Sequence, residues 1–202
     1  MTFTDPVLKQ YRATQGFTPS LHLEKPAQWA MTYPLLFAPG EGWEYGVGID
    51  WAGWAVERVS KMSLQEYLDK NVWGPLGATS MTFQPKKTPA CMDKLTDMSI
   101  RSGGINPIFG IAADPEGKVE YIDDLIWNLE TQGTAAGAGG YGNMIDYQKM
   151  LQSICANDQK LLKRETVEDM FKPQLSDACR ESLMARLAIP ELNQSSWQIV
   201  HN

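Results

Sequence analysis

The amino-acid sequence predicts a mainly helical α+β chain. Apolar side chains recur at helical spacing over residues 49–60, 63–71 and 144–154, which is the pattern of amphipathic helices. Two short runs, MSIR (98–101) and KVEYI (118–122), are predicted as strands, the second of them following a turn. The hydrophobic share of 43% and the charged share of 21% are those of an ordinary globular protein, so we expect a packed fold.

The first strong helical signal covers residues 49–60. Its apolar side chains fall on one face, at i, i+3, i+7 and i+10: Ile49, Ala52, Val56 and Val59. Trp51 and Trp54 flank this face and widen it, so we expect the helix to be buried over much of its circumference. Asp50 stands at the start of the helix, where a carboxylate is predicted to cap it or to interact with its dipole.

A second helix is predicted to begin after Ser63. The spacing of Ser63 and Glu66 is that of a capping box, in which each side chain accepts a hydrogen bond from the other residue's backbone N–H. The helix is expected to end near Asn71. The turn-rich segment 73–83 is then predicted to lead into a strand at 80–84.

The remaining helices are predicted from fewer sequence features. A short helix is predicted near residues 6–13, followed by a long surface connection up to residue 40. Asn143 is predicted to cap a helix. The apolar face of that helix is marked by four side chains: Met144, Tyr147, Leu151 and Ile154. A short helix is expected near 165–171, and from Asp177 on no clear element is predicted.

The composition argues against several classes of function. A net charge of −6 and a pI near 5.0, with no run of Lys or Arg longer than two, disfavour nucleic-acid binding. Three widely spaced cysteines (Cys91, Cys155, Cys179) predict free thiols, and the presence of only two histidines excludes a histidine-rich metal site. No apolar run reaches 18 residues and the start of the chain lacks a signal-peptide pattern, so we expect no membrane span and a cytoplasmic location.

Five glycines fall within the eleven residues 133–143. A phosphate-binding loop is disfavoured, because the run lacks the lysine and hydroxyl that end a P-loop and follows no clear strand. We expect instead that these glycines let the backbone pass close to other backbone or to a ligand pocket.

Tyr45 lies between a Pro-Gly turn and the first strong helix, with glycines at positions 42, 46 and 48 around it. From the residues alone, Tyr45 is the main candidate for a catalytic side chain. A packing tyrosine whose hydroxyl is hydrogen-bonded is the alternative.

Four features follow one another between residues 35 and 83: Pro39-Gly40, Trp43, Tyr45 and Pro75-Leu76-Gly77. In this order they resemble the central part of the serine β-lactamase-like hydrolases, which include class C β-lactamases, penicillin-binding esterases and fungal transesterases. Residues 133–171 are similar to the later glycine-rich turn and helix of that family, and the region between is less similar. GIDWAG at 48–53 favours the fungal branch, which includes a polyketide acyltransferase.

This resemblance implies the mostly helical portion of the β-lactamase/transpeptidase-like fold over residues 1–202, with most of the antiparallel sheet missing. It implies a hydrolase or acyltransferase that acts on a small ester or amide through an acyl-serine intermediate, without metal or cofactor. Tyr45 would carry the proton between the serine and the leaving group. Candidate residues for the lining of an acyl pocket are Trp43, Val47, Trp51 and Trp73.

The sequence also departs from the family pattern. None of its eleven serines has a lysine three positions later, so the Ser-x-x-Lys nucleophile motif is absent from these residues. Lys87-Thr88 is followed by Pro89 instead of glycine, and Val47 stands where the family commonly has asparagine. Three explanations stay open: a truncated reading frame, one half of a complementing pair, or a diverged binding or scaffold protein. We expect the chain alone not to catalyse acyl transfer.

Overall fold

The computed structural model describes residues 5–16, 32–101, 116–122, 129 and 133–188. Over these residues the chain is mainly helical, with one two-stranded antiparallel sheet. Part of the predicted connection up to residue 40, namely 17–31, lies outside them. Within the described ranges no helix is both long and apolar enough to cross a membrane.

The helices and strands have the following bounds. The α-helices are α1 (Pro6–Thr14), α2 (Gly48–Ser60), α3 (Leu64–Leu68), α4 (Gly74–Leu76), α5 (Pro89–Met92), α6 (Met144–Ala156), α7 (Arg164–Met170) and α8 (Asp177–Leu187). A π-helical turn (Asp69–Trp73) joins α3 to α4, and a 3-10 turn spans Pro85–Lys87. Strands β1 (Met98–Arg101) and β2 (Val119–Ile122) pair antiparallel, with Ser99 opposite Tyr121. The predicted helices that correspond to α1, α2, α6 and α7 are confirmed, as are both short strands.

The capping box at the start of α3 is also confirmed. The Ser63 hydroxyl accepts a hydrogen bond from the Glu66 N–H at 3.2 Å, and the Glu66 carboxylate accepts one from the Ser63 N–H at 2.8 Å. The carboxylate also accepts from the Ser63 hydroxyl, and these bonds lower the pKa of Glu66. The helix therefore begins where the local sequence dictates.

The predicted end of this helix near Asn71 is wrong. The π-helical turn and α4 continue it to Leu76, after which Gly77 takes a left-handed conformation (φ 61°) and terminates it. Gly74 makes the π-helical turn feasible, because a Cβ there would lie 2.6 Å from the Asp69 carbonyl oxygen. The glycine and proline that suggested a turn thus occupy the last turn of a longer helix.

The strand predicted after α4 does not form. Only a single bridge is present there, in which Thr82 and Tyr141 exchange two backbone hydrogen bonds of 2.8 Å. The Gln65 side chain binds the backbone on either side, accepting from the Phe83 N–H at 2.7 Å and donating to the Met81 carbonyl at 3.2 Å. A side chain of α3 therefore satisfies groups that a neighbouring strand would otherwise satisfy.

The face by which α2 packs differs from the predicted one. Asp50 and Gly53 are its buried residues. A Cβ on Gly53 would lie 2.8 Å from the Ala136 Cβ and 3.0 Å from the Leu64 side chain, so the helix approaches both neighbours through a glycine. The expected burial of most of the circumference is wrong, because several large apolar residues of α2 are exposed: Ile49, Trp51 and Val59.

Helix α6 repeats this arrangement. Its buried residues are Asp146 and Ser153, both polar. Most of the side chains that predicted its apolar face are exposed: Met144, Tyr147 and Leu151. The two longest helices of the described part therefore bury polar or small residues and direct apolar ones outward.

Asp146 attaches α6 to the segment that follows α4. Its carboxylate accepts hydrogen bonds from the N–H groups of Thr79 and Ser80, both at 2.9 Å. It also pairs with the Lys149 ammonium at 2.7 Å, and that ammonium donates to the Gly77 carbonyl at 2.7 Å. The hydrogen bond from Lys149, with those from Ser80 and Thr79, holds the pKa of Asp146 well below its ordinary value despite burial.

Helix α8 is an element that the sequence analysis missed. Ser176 caps it by accepting a hydrogen bond from the Cys179 N–H at 3.2 Å. Cys179 is its one buried residue, so the helix has no apolar stripe from which periodicity could have predicted it. The serine cap was the available signal.

Replacing Asp146 by Asn should destabilise the fold by about 1–3 kcal/mol at neutral pH, because the amide cannot reproduce the charged hydrogen bonds. An unfolded Asp has a pKa of about 3.9, and the folded value is lower, so the carboxylate contributes stability above that pH and loses it as pH falls below about 4. Urea unfolding between pH 2.5 and 7 measures both effects.

The matched control is Asp177→Asn, whose carboxylate belongs to an exposed ion pair with Arg180. It should change the free energy of unfolding by less than about 0.5 kcal/mol. An equal loss of unfolding free energy in the two variants would contradict the conclusion that Asp146 attaches α6 to the segment after α4.

Candidate active site

The side chain of Tyr45 is exposed to solvent. It follows a turn closed by the Glu41 N–H and the Ala38 carbonyl (3.1 Å), and it precedes α2. Its exposed fraction is 66%, and its hydroxyl makes no hydrogen bond to any other described residue. The packing alternative, a buried tyrosine with a bonded hydroxyl, is not the arrangement found.

One glycine of the loop before Tyr45 is required by geometry: Gly40 has φ 89°, which disfavours any side chain. At Gly42 a Cβ would lie 3.2 Å from the exposed Phe37 ring, a tight contact that a small shift of the ring would relieve. Gly46 and Gly48 carry no such requirement, since neither has a positive φ and a Cβ on Gly48 would meet no atom within 4 Å. The backbone freedom expected around Tyr45 is therefore needed only in the turn that precedes it.

The start of α8 binds the backbone of this turn. The Cys179 Sγ lies 3.3 Å from the Gly40 carbonyl oxygen and 3.2 Å from that of Gly42. The Ser176 hydroxyl lies 3.4 Å from the same Gly40 oxygen. The cap of α8 and its one buried side chain therefore both contact the loop that carries Tyr45.

An ion pair joins the other end of α8 to the residue before Tyr45. The Arg186 Nε donates to a carboxylate oxygen of Glu44 at 2.9 Å, and a second guanidinium nitrogen donates to the same oxygen. Both side chains are mostly shielded from solvent, with exposed fractions of 20% for Glu44 and 30% for Arg186. Such a pair is screened less than a surface pair.

Asp50 fixes the first turn of α2, on the other side of Tyr45. It lies where a negative charge interacts favourably with the helix dipole, as predicted. It is not a cap, because Val47 occupies that position without a side-chain bond. Its carboxylate instead accepts a hydrogen bond of 3.0 Å from the Gly137 N–H, and a Cβ on Gly137 would lie 2.9 Å from the other carboxylate oxygen.

At Gly137 the glycine-rich run therefore lies against a side chain, that of Asp50. The predicted close approach to other backbone is confirmed at Gly139, where a Cβ would lie 2.8 Å from the Ala135 carbonyl oxygen. The run packs onto α2 and so supports the helix that follows Tyr45.

The predicted pocket residues fall in two places. Trp43, Val47 and Trp51 flank Tyr45 along the chain, the first two half-buried and Trp51 exposed. Trp51 packs edge-to-face on Trp54, with ring centroids 5.0 Å apart. Trp73 is half-buried in the π-helical turn, and no ring contact among the described residues joins it to the other three.

A second tyrosine offers a contrast. The Tyr141 hydroxyl is buried and has no hydrogen-bond partner among the residues that the structure describes. Burial, and secondarily the nearby Cys91 thiol, raise the pKa of Tyr141. A phenol of raised pKa ionises less readily at neutral pH, so Tyr141 is a poor candidate for a base.

The described residues contain no group of three or more His, Cys, Asp or Glu side chains that could hold a metal ion. What they offer is an exposed phenol on a loop fixed from both sides. A phenol can both accept and donate a proton, so the arrangement suits proton transfer to a group brought beside it.

The contacts that fix this loop were missed by sequence reasoning. Arg186 and Cys179 lie more than 130 residues from their partners along the chain, and nothing in the local pattern relates them to Tyr45. Ser176 is the exception in part, because a serine cap can be suspected from sequence.

Comparison with known proteins places this arrangement in a family. The profile of the Beta-lactamase family matches residues 5–188, and the chain belongs to that family. The resemblance stated from the sequence is thereby confirmed.

Its relatives include fungal esterases and acyltransferases. Lovastatin esterase of Penicillium rubens is 35% identical over 188 residues, which are 93% of this chain and 44% of the relative. Monacolin J acid methylbutanoyltransferase of Aspergillus terreus is 30% identical over 196 residues, covering 95% of this chain and 43% of the relative. The chain thus spans less than half the length of these relatives.

Solved structures agree on the fold. The LovD6 mutant of simvastatin synthase from Aspergillus terreus superposes with a TM-score of 0.76 at 31% identity, over 96% of this chain and 42% of that one. The mainly helical chain therefore has the β-lactamase-like enzymes as its fold neighbours.

Replacing Gly137 by Ala should destabilise the protein by about 1–3 kcal/mol, because the new Cβ would collide with the Asp50 carboxylate. Thermal or urea unfolding followed by circular dichroism measures the loss.

Gly48→Ala is the control for this change, since a Cβ at Gly48 meets open space at the first position of α2. It should be neutral or stabilise by up to about 1 kcal/mol. A Gly137→Ala variant as stable as Gly48→Ala would disprove the close approach of the glycine-rich run to α2.

Proposed function

We propose that this chain is the central part of a serine acyltransferase or esterase that acts on a small acyl ester or amide. The observation that carries the proposal is the exposed Tyr45 hydroxyl on a fixed loop, at the position where the family's sequence pattern has its catalytic tyrosine. The names of two relatives, an esterase and a methylbutanoyltransferase, supply the reaction class.

In this proposal the reaction has two half-reactions with one proton carrier. The Tyr45 phenolate removes the proton of a serine hydroxyl while the serine oxygen attacks the acyl carbon. The leaving oxygen or nitrogen then takes that proton from the Tyr45 hydroxyl as its bond to the acyl carbon breaks, and an acyl-serine remains. Water or an alcohol loses its proton to the same phenolate, attacks the acyl carbon and releases the serine, which is reprotonated.

The reaction needs partners that these residues do not supply. A phenol with a pKa of about 10 ionises at neutral pH only beside a positive charge. In the family that charge and the nucleophile come from Ser-x-x-Lys, and none of the eleven serines here has that spacing. We therefore propose that residues 1–202 form a partial domain that is inactive alone.

The exposed apolar side chains support the same proposal. Large apolar residues of the two longest helices are exposed, and they are Ile49, Trp51, Val59, Met144, Ile145, Tyr147 and Leu151. A helix that presents an apolar stripe ordinarily buries it against another layer. We propose that the remaining strands of the β-lactamase-like sheet supply this layer, either from the same polypeptide or from a complementing one.

The acyl group is proposed to contact Trp43, Val47 and Trp51, which lie next to Tyr45 in sequence. Trp73 remains a weaker candidate, since it belongs to the π-helical turn. We predict that the protein acts on a small molecule and binds no nucleic acid, membrane or cofactor. A cytoplasmic location is also a prediction.

The rival function is a non-catalytic binding or scaffold protein that kept part of the fold. The missing nucleophile motif favours it, and an open reading frame that encodes Ser-x-x-Lys upstream of these residues would argue against it. Stop codons in that position, with the protein still made and folded, would favour it.

Incubating the 202-residue chain with a fluorophosphonate probe should give no serine adduct, because no serine is paired with a lysine at the required spacing. Intact-protein mass spectrometry and turnover of a p-nitrophenyl ester are the measurements. Lovastatin esterase is the positive control. A single labelled serine on this chain would overturn the claim that it lacks a nucleophile.

A chimaera in which residues 5–188 replace the matching segment of lovastatin esterase should hydrolyse p-nitrophenyl esters. In it, Tyr45→Phe should lower kcat by about 10²–10⁴-fold with a small change in KM, because proton transfer is lost and shape is kept.

Tyr121→Phe is the matched control, since that tyrosine is 82% exposed and lies on β2. It should leave kcat unchanged. An active chimaera that responds equally to both substitutions would refute the role of Tyr45. A folded but inactive chimaera would favour the binding protein.

A further inference from the structure

We propose that α8 is the positioning element of Tyr45, with Arg186 acting through Glu44, and Cys179 acting through the carbonyl groups of Gly40 and Gly42. This role rests on the proposed function, because a side chain that carries a proton must be held at a fixed position. The contacts themselves are independent of any reaction.

The first line of evidence is the ion pair. Glu44 directly precedes Tyr45 and is mostly shielded, whereas Tyr45 is mostly exposed. The two neighbouring side chains therefore face different surroundings, one toward α8 and the other toward solvent. Two guanidinium nitrogens of Arg186 bind one Glu44 oxygen, which fixes the orientation of this residue.

The second line of evidence is the buried thiol. Cys179 is 8% exposed, and its Sγ lies within hydrogen-bond distance of two loop carbonyls at 3.3 and 3.2 Å. A thiol has one proton, so it donates to one carbonyl at a time. Ser176, which caps α8, reaches the Gly40 carbonyl as well. The start of α8 is thus attached to the turn before Tyr45.

Among the described residues, α8 makes its long-range hydrogen bonds with the loop that carries Tyr45. Cys179 is its one buried residue. Its long-range hydrogen bonds from Ser176, Cys179 and Arg186 all end on the segment 40–44. Within the described part of the chain, the helix packs on the tyrosine loop and contributes little else to a core.

The side chain of Tyr45 is held by no hydrogen bond to another described residue, because its hydroxyl makes none. The loop backbone therefore sets where the phenol stands. Because a misplacement of about 1 Å in a reacting group can reduce a rate by about 100-fold, a device that fixes this backbone has a direct chemical consequence.

The test measures the order of the loop on the full 202-residue chain by ¹⁵N relaxation, with ¹³C-labelled tyrosine to follow the Tyr45 ring. Arg186→Met should lower the order parameter at residues 44–46 from about 0.85 to below about 0.6. Arg186→Lys, which keeps the charge but loses the fork, should restore part of the order. Arg180→Met, on the same helix with an exposed partner, should have no effect.

Glu44→Gln provides a second variant, because it removes the charge from the loop and leaves α8 unchanged. It should reproduce the loss of order at residues 44–46 and broaden or shift the Tyr45 ring signals, even where Arg186→Met unfolds α8. Unchanged order at residues 44–46 in Glu44→Gln, or loss of order confined to α8 in Arg186→Met, would overturn the proposal.

These measurements need no turnover. Failure of the chimaera to respond to Tyr45→Phe, with an intact loop effect, would refute the proposed function alone. A chimaera that depends on Tyr45, with a loop insensitive to Arg186 and Glu44, would refute the positioning role alone.

Discussion

Three carboxylates hold the helices of this chain to its loops by accepting hydrogen bonds from backbone N–H groups. Asp50 binds the glycine-rich run at Gly137, and Asp146 binds the segment after α4. Glu57 binds the first N–H of α3 at 2.8 Å and also accepts from the Thr134 hydroxyl. Buried backbone groups must be paired, and a charged acceptor makes a stronger bond than a neutral one. The arrangement of the helices follows from these attachments.

The same attachments explain why the apolar stripes are directed outward. A helix that is bound through an aspartate turns that side inward, and its apolar side chains then occupy the remaining circumference. Each exposed large side chain forgoes about 1.5–3 kcal/mol of burial free energy, so a layer that covered this surface would stabilise the fold. The chain spans less than half the length of the two fungal relatives.

The candidate active site depends on this framework from two sides. Behind Tyr45, α2 is fixed by Asp50 and by the close approach of Gly53 to its neighbours. Ahead of it, the turn at Gly40 is bound by α8. The phenol itself remains exposed, so it combines a determined position with free access. This is the combination that proton transfer to an incoming group requires.

Local interactions explain most of what could be predicted from the sequence. The caps at Ser63 and Asn143, the periodicity of α2 and α6, and the two short strands each depend on residues a few positions apart. Tyr45 could be singled out because its setting between a turn and a helix is also local. The family's motif order then gave it a chemical meaning. Periodicity does not say which face of a helix meets a neighbour, so the exposure of Val59 and Met144 was not predicted.

The tertiary structure alone decided the contacts between distant segments. Gln65 replaces a strand partner for residues 18 positions further on, and Arg186 reaches Glu44 across 142 positions. Hydrogen bonds of this kind form only after the elements have packed, and their partners share no local pattern. The sequence therefore determined where α3 and α6 begin, through their caps, and which tyrosine is the candidate for chemistry. Packing determined which faces are buried and what holds that tyrosine in place, because those depend on long-range distances that no short window of residues contains.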